Sequence, residues 1–228
     1  MTSVDTTASL TRPPKDATRR LSRAAGILYL LTFVSIPTLS LYAAVQGPDY
    51  LLGSGPDTPA TLGAVLELIV ALACIGTAVT LFPIVKAQGE SLALGFIGAR
   101  VLEAGTIFTG VATILTLVTL RQSGVGADGL GTAHALVALH GWLNLGQGLM
   151  PVINALLLGT LLFRGRLVPR WLPVLAFVGA PLLLASTLAT VFGVWGQMSG
   201  LAGLAALPIA VWEFALGVWL VVKGTRQA

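Results

Sequence analysis

Six apolar runs, each long enough to cross a membrane and separated by short polar segments, organise this chain. An α-helix needs roughly 20 apolar residues to traverse the hydrocarbon core of a bilayer. The runs predict helices over residues 23–46, 60–84, 91–120, 132–163, 171–195 and 202–222. The third and fourth are longer than a bilayer requires, which implies tilt or protruding ends. Residues 47–59 and 121–131 are loops rich in Gly, Pro and Asp, and 86–90 (KAQGE) makes a tight turn. Residues 1–18 are rich in Thr, Ser, Pro and charge without apolar periodicity, so they are expected to form a disordered cytoplasmic tail. Residues 19–228 then form a single membrane domain. The expected fold is an all-α bundle of six transmembrane helices.

Four residues break the apolar runs from within: Glu67, Arg100, Glu103 and Glu213. On insertion scales a charged residue at a helix centre costs about 2.5–3.5 kcal/mol, so these side chains are expected to turn away from lipid. Helical spacing gives each a face. Arg100, Glu103, Thr106, Gly110 and Thr113 form one stripe. His140, Asn144, Gln147, Pro151 and Asn154 form a second. Gly63, Glu67, Ala71, Cys74 and Ala78 form a third, and Ala206, Ala210, Glu213 and Gly217 a fourth. Every embedded carboxylate stands on a seam of small residues, which permits close helix approach in lipid. The seams are expected to face one another around an interior that holds Glu67, Arg100, Glu103, His140, Asn144, Gln147 and Glu213.

Composition agrees with the membrane class: 55% of residues are hydrophobic and 10% charged, against about 25% charged in soluble domains. The basic residues flank the apolar runs, so they are read as topology determinants and not as a nucleic-acid surface. Of the 13 Lys and Arg, only Arg121 falls outside and only Arg100 lies within the membrane if the N-terminus is cytoplasmic. That asymmetry places both termini in the cytoplasm. The densest basic loop carries Arg164, Arg166, Arg170 and Trp171. It is positioned for anionic lipid headgroups or serves topology alone. Pro37, Pro151, Pro181 and Pro208 interrupt helix interiors, and kinks beside a polar seam are a way to form a binding cavity.

Other signals carry no chemistry. Gly124 to Gly129 matches G-x-G-x-x-G but follows no strand, so no dinucleotide site is read from it. His134 and His140 are the only histidines, and six residues apart they point about 120° from each other on a helix, which is wrong for joint metal ligation. Cys74 is the only cysteine, so no intrachain disulfide forms. No catalytic constellation, metal site or cofactor is expected. The interior holds one arginine for three glutamates; the two further carboxylates need a proton, a cation, a protonated His140 or water. A small transporter or ligand-binding membrane protein for a proton, cation or small amine fits this excess. The alternative is a structural or interaction protein whose polar cluster only locks helix packing. A third reading is an intramembrane enzyme using His140 and a glutamate as acid and base, within hydrogen-bond reach of each other.

Residues 23–31 (RAAGILYLL), 66–86 (LELIVALACIGTAVTLFPIVK), 90–104 (ESLALGFIGARVLEA) and 164–172 (RGRLVPRWL) together resemble one family. It is the bacterial membrane-protein family known as domain of unknown function four-three-eight-six. The resemblance extends from about Arg19 to Lys223 and implies a multi-pass bacterial inner-membrane protein with this helix layout. It brings no activity with it. It places Glu67, Arg100 and Glu103 in the family's signature block.

Overall fold

The computed structural model describes residues 14–47 and 49–226, with Gln147 described by its backbone alone. Among the described residues seven α-helices form: α1 Lys15–Leu31, α2 Thr38–Leu41, α3 Thr58–Val85, α4 Glu90–Gln122, α5 Leu130–Arg164, α6 Trp171–Val191 and α7 Gly200–Val222. Six segments are long and apolar enough to cross a membrane, the first built from α1, a 3-10 turn over Thr32–Ser35, and α2. No strand occurs among the described residues. The protein is an all-α membrane bundle of six spans.

The boundaries differ from expectation at three places. Helix α1 starts at Lys15, inside the stretch expected as a tail, because Pro14 presets the entry, Asp16 sits in the first turn, and good helix formers follow. Residues 1–13 of that stretch lie outside the described residues. The first span is not one continuous helix over 23–46. It breaks after Leu31, since Pro37 has no N–H to bond the Phe33 carbonyl and its ring disfavours a straight α-turn. Helix α6 ends at Val191 and not at 195. Gly193 adopts φ 70°, with Val194 N–H bonding the Ala189 carbonyl at 2.9 Å and Gly193 N–H bonding Thr190 at 3.0 Å, a Schellman end.

Each long helix packs on its neighbours in the chain, and α1 also packs on α7, so the six spans close into a ring in sequence order. The closure needs glycine: a Cβ on Gly26 would lie 2.6 Å from the Gly217 carbonyl oxygen, so α1 and α7 touch backbone to backbone. Connections alternate between two ends. The 86–89 turn, the 165–170 loop and both described termini share one end, where Gln88 packs on Gly165, Ser22 Oγ lies 3.0 Å from Thr225 Oγ1, and Arg226 N–H bonds the Leu167 carbonyl at 2.6 Å. We call this the N-terminal end. At the far end, Arg121 pairs with Asp57 at 2.6 Å and donates to the Gly55 carbonyl, while Gln122 bonds Asp57 at 3.0 Å.

The two halves of the ring are filled differently. Toward the N-terminal end, Tyr29, Leu81, Phe96, Leu158, Leu161, Leu172, Trp212 and Leu216 are fully buried in one apolar core. The far half holds a smaller apolar cluster around Leu51, Ile114 and Leu117 and the cavities described next. The densest basic loop is exposed at the N-terminal end. Arg164, Arg166 and Arg170 are exposed there, as is Trp171. Arg166 caps α5 in a left-handed conformation (φ 48°) where glycine is the usual residue.

Candidate functional site

The sequence places Arg100 and Glu103 one turn apart on α4, and the helix brings Arg100 Nη1 to 2.8 Å from Glu103 Oε2. The same oxygen accepts a second hydrogen bond from Asn154 Nδ2 of α5, also at 2.8 Å. From α7, Glu213 Oε1 comes to 4.0 Å from Arg100 Nη2. Cys74 Sγ of α3 lies 3.6 Å from Nη1. The guanidinium carbon stands 4.8 Å from the centre of the Tyr29 ring and 5.8 Å from that of Phe96, the arrangement of a cation over aromatic faces. Helices α1, α3, α4 and α7 thus meet at one arginine, which is 2% exposed, and α5 reaches it through Glu103.

Glu67 belongs to a second group. Its Oε2 accepts a hydrogen bond from Tyr42 Oη at 3.1 Å. The Tyr42 ring lies over Gly63, one turn before Glu67, where a Cβ would come within 2.5 Å of the ring. The other side of Tyr42 meets His140 edge-on, with centroids 5.5 Å apart. His140 Nδ1 is placed to donate to the Gly110 carbonyl at 3.2 Å and lies 3.3 Å from Thr113 Oγ1. Tyr42 therefore stands between His140 and Glu67, and no hydrogen bond joins His140 to a glutamate among the described residues.

Two cavities connect these groups. The first, of about 450 Å³, is lined by Thr38, Tyr42, Gln46, Glu67, His140, Asn144 and Gln197 among others. The second, of about 290 Å³, is lined by Thr32, Phe33, Cys74, Arg100, Glu103 and Glu213 among others. Ser35, Ile36 and Glu67 belong to both, so the cavities adjoin where the first span is broken. The break supplies its own polar compensation. Thr32, Ser35 and Thr38 each donate a hydroxyl to the carbonyl three residues earlier, at 2.7, 3.0 and 2.6 Å. Irregular backbone at membrane depth is tolerated where it lines such a cavity.

From residue 24 to residue 224 the chain matches the model of a family described as Domain of unknown function (DUF4386). It belongs to that family. No curated protein and no solved structure matches it.

Within this DUF4386 domain, the structure brings Arg100, Glu103 and Glu213 together, and sets Glu67, His140 and Asn144 around the adjoining cavity. The side chain of Gln147 lies outside the described residues. Arg164, Arg166, Arg170 and Trp171 sit apart from the site, at the N-terminal end. Sequence reasoning passed over Tyr29 and Tyr42. Their signal was a phenol inside an apolar run, since a buried tyrosine hydroxyl ordinarily seeks a partner. Asn154 and Cys74 lay on the polar stripes but were not assigned to the cluster. Among the described residues no group of three or more His, Cys, Asp or Glu is placed to hold a metal ion.

Proposed function

We propose that this chain is a small transporter or ligand-binding protein of the cell (inner) membrane, whose central carboxylates bind a proton, a cation or a small amine. One observation carries the proposal. The second cavity is lined by three glutamates and a single arginine, and a broken helix lines both cavities. Arg100 and Glu103 neutralise each other at 2.8 Å, which leaves Glu67 and Glu213 without a cationic partner at hydrogen-bond distance. A cation entering from water would meet two carboxylates in a low-dielectric site, where attraction is strong. Intramembrane carboxylates that line a cavity serve proton and ion pathways in membrane proteins. The Lys and Arg distribution supports an orientation with both termini in the cytoplasm, so the far end and its cavity would face outward.

A second reading has its own support. Asn154 and Arg100 both bond Glu103 Oε2 at 2.8 Å, tying α4 to α5 as a structural lock would. The acid–base reading of His140 loses its support, because Tyr42 separates the ring from Glu67.

Thermal shift of the purified protein with a panel of small ammonium ions separates the first two readings, together with proton movement in proteoliposomes. The proposal expects at least one ligand or proton signal that Glu213→Gln abolishes while the variant stays folded and monodisperse. If Glu67→Gln, Glu103→Gln and Glu213→Gln change only thermal stability, and the unmodified protein gives no ligand or proton signal, the lock is the whole role.

A further inference from the structure

The first cavity continues toward the outside of the bundle. It shares Gly141 of α5 and Gln197, from the segment after α6, with a groove of about 230 Å³ between α5 and the end of α6. Ala138, Trp142, Leu145 and Thr190 also line that groove, which carries no charged side chain. Trp142 is 59% exposed, so the groove lies on the outer surface. At the junction a Cβ on Gly141 would meet nothing within 4 Å. The 21 residues of α6 rise about 30 Å from Trp171, the thickness of a hydrocarbon core. The groove at the top of α6 therefore lies where hydrocarbon gives way to headgroups, the level that tryptophan favours.

The inner end of the first cavity has the opposite character. Glu67 is the only Asp, Glu, Lys or Arg that lines it. Tyr42 occupies Oε2; Oε1 accepts no hydrogen bond among the described residues and is not cut off from the cavity. His140 gives Nδ1 to the Gly110 carbonyl, which leaves its Nε2 with a lone pair. One anion and further acceptors inside, with an uncharged groove leading out to lipid, complement a cation that has an apolar tail. We propose that the first cavity binds a single-chain amphiphilic amine from the far leaflet, its ammonium group on Glu67 and its alkyl chain along the groove between α5 and α6. This rests on the reading of the carboxylates as a cation site and narrows the amine to one with a long chain. A small hydrophilic amine leaves the groove unfilled, and a fatty acid sets its carboxylate against Glu67.

Photolabelling of the purified full-length protein in lipid nanodiscs tests this, with a dodecylamine that carries a diazirine in mid-chain and peptide mass spectrometry to locate the adducts. Adducts are expected within residues 138–145 and 190–197. Unlabelled dodecylamine should suppress them about tenfold or more better than dodecanol or dodecanoate, as the gain of one charged contact entails. Glu67→Gln should lower the labelling about tenfold or more. Gly141→Leu, which puts a side chain into the open junction, should lower it several-fold. The competition needs no variant, so it decides even where Glu67→Gln fails to fold. Adducts spread over the lipid-facing helices overturn the inference, as does equal suppression by dodecanol or dodecanoate, or labelling that a folded Glu67→Gln leaves unchanged. Small ammonium ions that stabilise the protein, with no adducts in the groove, overturn it and leave the cation reading standing.

Discussion

Arg100 stays charged at any physiological pH, so every side chain around it is arranged to hold a cation out of water. Glu103 gives it a full ion pair, Tyr29 and Phe96 give it aromatic faces, and Asn154 fixes Glu103 from the next helix. A second ionic centre, outside the membrane spans, is easier to titrate. Asp57 accepts hydrogen bonds from Tyr50 Oη at 2.5 Å and Gln122 Nε2 at 3.0 Å, and pairs with Arg121. The Tyr50 bond chiefly, with Gln122 and Arg121 adding to it, holds the Asp57 carboxyl below its ordinary value. Burial, then the bond to Asp57, pushes the Tyr50 phenol up. Because the folded-state value of Asp57 is depressed, its stabilisation is present above about pH 4 and is lost as pH falls through that lower value. The thermal midpoint should therefore fall on acidification below about pH 4, and Asp57→Asn should remove that part of the fall. Superimposable acid profiles for the two proteins would show that Asp57 ties nothing down. The i,i+3 spacing of Arg100 and Glu103 made their pairing legible from sequence. The partnership of Tyr42 with Glu67 was not, since it crosses the helix break and depends on where the chain travels after Pro37.

Helices reveal why some boundaries could be read and others not. Spans α3, α4, α5 and α7 lie within a few residues of the apolar runs, because in lipid the run and the helix are fixed by the same bilayer thickness. The first span escaped this logic. Pro37 marked an interruption, but the 3-10 turn over Thr32–Ser35 and the hydroxyl bonds of Thr32, Ser35 and Thr38 required knowing that a cavity lay beside it. Stripes of small residues were legible as contact faces, while the pairing of α1 with α7 was not, since nothing in the local sequence says that first and last helices meet. That closure gives a test. Gly26→Ala puts a methyl group 2.6 Å from a backbone oxygen of α7, which cannot turn aside. We expect a loss of about 1–3 kcal/mol, read as a lower thermal or denaturant midpoint. Gly98→Ala on α4 meets nothing within 4 Å and should leave the midpoint unchanged or raise it. Equal effects of the two substitutions would mean that α1 and α7 do not touch in this way.

As a whole the ring carries a large apolar core toward one end and, toward the other, a smaller apolar cluster around Leu51, Ile114 and Leu117 beside two cavities. The apolar core around Leu81, Phe96, Leu161, Trp212 and Leu216 fills the N-terminal half, whereas the adjoining cavities reach from Gln46 and Gln197 down to Arg100 and Glu213. On the proposed reading, a ligand would enter from the far end and stop at the arginine. If the chain is a transporter, passage to the other side would require the apolar core to part, the kind of rocking around a fixed midplane site that transporters use. The chain carries its own probe for this arrangement. Cys74 is its single cysteine, lines the second cavity and lies 3.6 Å from Arg100. The rate of Cys74 modification by a positively charged and a negatively charged methanethiosulfonate reagent reads both access to the chamber and its charge. The cationic reagent should react several-fold faster, since clefts lined by one sign of charge concentrate the opposite sign, and Glu213→Gln should narrow the difference. No modification of the folded protein by either reagent, or equal rates for both with and without Glu213, would contradict a cation-selective chamber at Arg100.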